Sequence, residues 1–342
     1  MPNKKRNKKN PLYNLQGSNL WKNKGIKGFF YKYLRNIFNL GQKLGLHIIP
    51  NHYYYPVPDT RFLTTKTFTS RSELIGINMN VNEQLELLNK FNANYAKEFN
   101  DFPRFRTKIP HQYYVTNGNF RSVDGEILYC MIRDFKPKKI IEIGSGYSTF
   151  CSAQAILKNE EEDKNYSCEL IAIEPYPNKI LQQGFPGLTE VMIKNLQDVP
   201  IKFFKKLTEN DILFIDSSHI LNIGNDVYLE YLEILPRLNK GVLVHIHDIF
   251  LPAEYPPEWV LNLLRFFNEQ YLLQSFLCFN DDFKILWASK YMQMEHSEKL
   301  ENIFKSFKRD RTELNKMGPD MLEFKKRWPI EWPTSFWIKR IR

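Results

Sequence analysis

At 342 residues the chain can hold one sizeable core with extensions or two small domains, and its 43% hydrophobic and 15% aromatic content excludes a disordered polymer. No apolar run reaches the roughly 18–20 residues that span a bilayer, and the basic amino terminus lacks the apolar stretch of a secretory signal, so a cytoplasmic protein is expected. The net charge of +10 is local: residues 1–58 carry eleven Lys and Arg and no acid, which leaves 37 basic and 38 acidic side chains in 59–342 and argues against a nucleic-acid groove on the body.

Residues 1–27, rich in Lys, Asn and Gly, are expected to be disordered. In Phe29–Leu46 the residues Phe30, Tyr33, Leu34, Ile37, Phe38 and Leu44 share one helical face, with Lys32, Arg35 and Lys43 off it. Such a basic amphipathic helix either makes peripheral contact with an anionic membrane or packs on the main domain. Pro50, Pro56 and Pro58 then forbid a helix, and 47–60 reads as an extended strap that lines a substrate mouth through His52, Tyr54 and Asp59 or serves as a connector. These shifts divide the chain into a basic arm (1–46), an extension (47–119) and a main domain (120–342).

Leu74–Phe99 and Val123–Phe135 read as helices, the second stopped by Pro137. Continuous apolar runs follow at Ile140–Ile143, Leu170–Glu174, Val191–Lys194, Asp211–Asp216 and Gly241–Asp248, the pattern of parallel strands covered on both faces. The stretch Asp226–Leu235 between two of them is helical in period, and the alternation predicts a doubly wound α/β sheet. Tyr271–Cys278 and Phe283–Ala288, joined by Asn280-Asp-Asp282, are expected to form a terminal antiparallel hairpin. His296–Phe324 reads as mostly helical, and the Trp- and Pro-rich stretch from Trp328 to Lys339 is expected to dock on the domain.

Two glycines, Gly144 and Gly146, follow the first core strand, where the absence of a Cβ lets backbone turn tightly and approach a ligand. Gly144-Ser-Gly146-Tyr-Ser-Thr149 lacks the third small residue of the dinucleotide fingerprint. Glu174, at the end of the second strand, is placed to accept hydrogen bonds from ribose hydroxyls, or is a solvated acid at a strand end.

Glu142-Ile-Gly144-Ser-Gly146 resembles motif I of the class I S-adenosylmethionine-dependent methyltransferases. The blocks Gly144–Thr149, Ile215–His219 and His247–Phe250 are similar to those of a bacterial group within that family, whose substrates are mostly unassigned. The resemblance covers about 110–290. It implies a seven-stranded Rossmann-like sheet with a terminal antiparallel hairpin. It also implies S-adenosyl-L-methionine held by Glu142, Gly144, Ser145, Gly146, Tyr147, Ser148, Thr149, Glu174 and Asp216, with Asn195, Gln197 and Asp198 near the adenine. Thr149 reads equally as a helix cap.

Two assignments compete for the chemistry. In one, His247 or His219 is a general base, with Asp216 beside it. In the other, Asp216, His247 and Asp248 hold a divalent metal, a donor set suited to Mn²⁺ or Zn²⁺. His245, deeper in its strand, reads as a hydrogen-bonded core residue, and Asp216 reads alternatively as a turn residue bonding Ser217-Ser218. The loop Phe250–Trp259, with Glu254, either binds a sugar-like or phenolic acceptor or forms a rigid wall. Cys130, Cys151, Cys168 and Cys278 are widely spaced and read as reduced thiols. The expected activity is O-methylation of a small-molecule or glycan hydroxyl. The alternatives are a non-catalytic binding module on the same fold and an NAD-type oxidoreductase.

Overall fold

The structure, a computed structural model, describes residues 26–52, 54–316 and 333–342. The expected features of 1–25, of Tyr53 and of 317–332, including Trp328 and Trp332, lie outside the described residues. The chain divides into two compact units, 1–63 and 64–342, so 64–119 belongs with the main body. The first unit contains helix α1 (Ile26–Lys43) and a single helical turn at Thr60–Phe62, capped by Asp59, which accepts from the Arg61 amide.

In the second unit a short α2 (Thr65–Thr69) precedes α3 (Val81–Asn100) and α4 (Asp124–Phe135). Acidic Asp124 and Glu126 occupy the positive first turn of α4, and Lys136 closes it in the left-handed conformation just before Pro137. Seven strands follow: β1 (Lys139–Ile143), β2 (Glu169–Ile173), β3 (Glu190–Met192), β4 (Ile212–Ile215), β5 (Leu243–Ile246), β6 (Phe283–Ala288) and β7 (Phe336–Arg340). Between β1 and β5 the chain forms α5 (Tyr147–Glu162), α6 (Lys179–Gln183) and α7 (Asp226–Leu229). After β5 come α8 (Glu269–Leu277), α9 (Ser289–Glu295), α10 (Ser297–Ile303) and α11 (Lys305–Lys316).

The strand order is β3-β2-β1-β4-β5-β7-β6, with the first five parallel and β7 antiparallel to both its neighbours. Side chains alternate between two cores. Ile140, Ile212, Phe214 and Leu243 pack with α4 and α5 residues such as Ile127 and Phe150, whereas Ile141, Leu213, Ile215 and Val244 meet Val227, Tyr231 and Leu273. Register fixes the functional edge. Ile143 stands opposite both Ile173 and Ile215, and Ile215 stands opposite Ile246, so Gly144, Glu174, Asp216 and His247 leave the sheet side by side.

Two expectations are corrected. Tyr271–Cys278 is not a strand. It lies within and just beyond α8, whose residues Glu269, Gln270, Leu273 and Leu277 are buried at helical spacing. The antiparallel partner of β6 comes instead from the Trp-rich tail, whose Phe336, Trp337 and Ile338 are buried as β7. The expected helix at Asp226–Leu235 is present: four regular residues, a wider stretch at Glu230–Ile234 and a tight last turn containing Pro236.

Candidate functional site

The strand ends are locked together at Gly144. Its φ is +88°, and a Cβ there would lie 2.2 Å from the Asp216 carbonyl oxygen. The Gly144 amide donates to Ile173 O at 3.0 Å and the Asp216 amide to Ile143 O at 2.9 Å. Only glycine permits this approach. Gly146 differs: its φ of 171° is extended, and no atom lies within 4 Å of where its Cβ would be, so open space stands over this part of the turn.

Helix α5 begins immediately after. Thr149, fully buried, accepts from the Gly146 amide at 2.9 Å, so its hydroxyl serves as the cap. The Ser148 hydroxyl donates to buried Glu142. Burial, opposed by the Ser148 and Thr149 hydroxyls and reinforced by Asp216 and Glu174, pushes the Glu142 carboxyl up to about 8. Its second oxygen and the Ser145 hydroxyl are buried without a hydrogen-bond partner. Tyr147 pairs with Tyr114 through their hydroxyls at 3.0 Å, the rings meeting edge to face. Glu174 is half-buried, and one of its oxygens accepts from the Tyr176 amide at 2.8 Å.

At the ends of β4 and β5 stands a cluster that the sequence named only in part. His219 is 7% exposed and Asp248 9%, and both hold left-handed backbone, at φ +59° and +56°. Backbone strain of this kind concentrates at functional positions. The Nε2 of His219 lies 3.3 Å from Asp216 Oδ1 and 3.5 Å from Asp248 Oδ2, while its Nδ1 lies 2.8 Å from Glu269 Oε2. Burial opposes the charge on this ring, but Asp216, Glu269 and Asp248 outweigh it and raise the imidazole well above its ordinary range. Its two nitrogens are therefore committed as donors, and the ring as arranged is a cation rather than a free base. Burial likewise opposes the charge on Asp216, yet His247 and the hydrogen-bonded His219 hold its carboxyl down at about 2. Its side chain is 35% exposed, the most open of the acids around His219.

Glu269, at the start of α8, was missed by the sequence reading. It is fully buried and also accepts from the Tyr231 hydroxyl at 3.0 Å. The only local signal is an acid in the first turn of an amphipathic segment. The turn role considered for Asp216 is filled by Asp226, which accepts from the Ser218 amide at 3.2 Å.

His247 is 2% exposed, its ring 5.1 Å from Phe120 and its Nε2 3.6 Å from Asp248. His245 is a core residue: its Nε2 meets Ser335 Oγ at 2.9 Å, its ring stacks on Phe214 at 3.9 Å, and burial holds its imidazole well below the ordinary range. In the loop after β5, Glu254 is tied to the Tyr255 amide, the Gln270 amide group and the Tyr271 hydroxyl. Phe250, Tyr255, Trp259 and Phe267 pack edge to face, and Phe267 lies 4.9 Å from His219. Asn195 donates to Asp198 at 3.2 Å, and Gln197 and Asp198 are exposed beyond the edge strand β3; no hydrogen bond ties them to the glycine turn. A cavity of about 420 Å³ lies elsewhere, lined by Glu98, Tyr129 and Lys158, and none of the strand-end residues line it.

The expected metal set is not assembled. Among the described residues no three His, Cys, Asp or Glu side chains are grouped to hold a metal ion. The His219 ring nitrogen, in contact with both Asp216 and Asp248, takes the position a shared cation would need. The glycine turn does fit a nucleoside cofactor: it offers open space over Gly146, two buried polar atoms without partners, and a carboxylate one strand away.

Residues 141–249 match a family model described as a methyltransferase domain. An uncharacterized protein of Archaeoglobus fulgidus is 33% identical over 182 residues, 51% of this chain and 80% of that one. The solved structures are far more distant. The apo structure of CmcI-N160 has 14% identity and a TM-score of 0.30, over 48% of this chain and 64% of that one, just under two thirds of its length. The plantazolicin methyltransferase BpumL in complex with SAH has 12% identity and a TM-score of 0.25, over 78% and 100%.

Proposed function

We propose that the chain, whose residues 141–249 match a methyltransferase domain, is a class I S-adenosylmethionine-dependent methyltransferase that methylates an oxygen of a small-molecule or glycan acceptor. One observation carries the reading: the turn suited to the cofactor and the most open acid of the cluster are in backbone contact, through Gly144 and the Asp216 carbonyl. Bound there, S-adenosylmethionine supplies a methyl group already activated by its sulfonium.

In this proposal the Ser145 hydroxyl and the free Glu142 oxygen face the cofactor's polar methionine end, and Glu174 accepts from the ribose hydroxyls. Asp216 accepts the hydrogen bond of the acceptor hydroxyl, aligns its oxygen and takes its proton as the C–O bond forms. His219, fixed by Glu269 from behind, keeps Asp216 ionised and oriented. Phe267 and Trp259 wall the acceptor from water. The four cysteines are free thiols, which suits the reducing cytoplasm.

The test is transfer of labelled methyl from S-adenosylmethionine to a panel of hydroxyl, phenol, carboxyl and amine acceptors. Asp216→Asn is expected to lower turnover of the best acceptor at least ~100-fold while S-adenosylhomocysteine affinity stays within a few-fold. Label found only on nitrogen acceptors, or full activity in Asp216→Asn, would overturn the proposal.

A further inference from the structure

Helix α1 of the basic arm shows a division of faces. The chain leaving α1 folds back on the helix at Gly41. The Gly41 carbonyl accepts from the Leu46 amide at 2.8 Å, and a Cβ on Gly41 would stand 2.9 Å from Leu46 O and 3.4 Å from the Ile48 side chain. The His47 ring lies 5.7 Å from Phe38. One flank of the helix is thereby covered by its own return segment.

The adjoining flank is open. Tyr33, Leu40 and Leu44 are 59%, 59% and 70% exposed and follow a helical stripe with Ile37 between them. Arg35 and Lys43 are exposed on the polar side, and the return segment adds exposed Leu46 and Ile48. An apolar stripe of this kind on a free surface marks a docking face. Charge identifies what it meets: residues 1–58 carry eleven basic and no acidic side chains.

We propose that helix α1 and its return segment dock on an anionic lipid bilayer. Helix α1 lies in the plane of the surface, with Tyr33, Ile37, Leu40 and Leu44 in the acyl boundary and the basic side chains among the headgroups. A nucleic acid would satisfy the charge and leave the exposed leucines in water, so lipid is the occupant that accounts for both features. No described helix is long and apolar enough to cross the bilayer, and the contact is peripheral. It holds whatever acceptor the transfer site takes.

The experiment is sedimentation of the full chain with vesicles of phosphatidylcholine alone and of phosphatidylcholine with phosphatidylglycerol, at low and high salt. Binding is expected only with the anionic lipid and is weakened by salt. Leu40→Asp with Leu44→Asp is expected to weaken partitioning at least ~10-fold, while S-adenosylhomocysteine affinity and the melting temperature stay unchanged. Replacing Lys4, Lys5, Arg6, Lys8 and Lys9 with Ser is a second variant, expected to weaken binding in the same way without touching the helix. Equal partitioning by both variants, no binding to either vesicle, or displacement from anionic vesicles by a duplex oligonucleotide would overturn the proposal.

Discussion

Two glycines in one turn are expected to respond in opposite ways to the same methyl group. In Gly144→Ala the new Cβ meets the Asp216 carbonyl at 2.2 Å, more than 1 Å inside ordinary contact, and its φ of +88° disfavours any L side chain. The backbone conformation alone costs roughly 1–2 kcal/mol. Relief of the clash must part the ends of β1 and β4, where Asp216 N–Ile143 O is 2.9 Å, or pull Gly144 away from the end of β2, where Gly144 N–Ile173 O is 3.0 Å. Loss of one such buried bond costs about 1–3 kcal/mol. A destabilisation of about 2–5 kcal/mol is expected, a large share of the roughly 5–15 kcal/mol that holds a domain folded. In Gly146→Ala the Cβ enters open space on extended backbone, and the cost to stability is about 1 kcal/mol or less. That space, however, is where the cofactor is proposed to lie, so S-adenosylhomocysteine affinity should fall at least ~10-fold, or ~1.4 kcal/mol. Urea denaturation and calorimetric titration on both variants read the two effects separately. Gly146→Ala with wild-type affinity, or Gly144→Ala with wild-type stability, would refute the reasoning.

Glu174→Ala is expected to weaken S-adenosylhomocysteine binding ~10- to 100-fold by removing a charged acceptor from the ribose, with little change in melting temperature; unchanged calorimetric affinity would remove Glu174 from the site. Glu142 has a carboxyl raised from 4.5 to about 8 in the folded chain, so the unfolded chain releases this proton first as pH rises. Stability from this group is therefore complete below pH 4.5 and is lost as pH climbs through about 8. Glu142→Gln is expected to halve that decline in urea unfolding between pH 5 and 7, where buried Glu126, raised to about 7, still contributes, and to abolish it between about 7 and 8. An unchanged profile would place the proton elsewhere.

The strand ends were legible in the sequence because each core strand is a continuous apolar run stopped by a polar residue, and parallel pairing then lines up Gly144, Glu174, Asp216 and His247. The antiparallel end was legible as a kind of structure and not as particular residues. Tyr271–Leu277 has an apolar run that suits strand or helix, and burial of Glu269 and Gln270 against His219 and Tyr255 decides for helix. The partner of β6 lies far along the chain at Phe336–Arg340, where no local pattern connects the two. The site follows the same division. The acids and histidines at strand ends announce themselves, but Glu269 acquires its role only through a contact fifty residues from His219, and the charge on His219 follows from that contact.

The position of β7 between β5 and β6 has a consequence for biosynthesis. At roughly 5–20 residues per second, several seconds separate the emergence of β6 from that of β7. During that interval the inner side of β5 is a bare edge, and β6 has no strand beside it. Nascent chains stalled within this window should be the species that holdase chaperones retain, and slow codons between the two strands should lower the soluble yield.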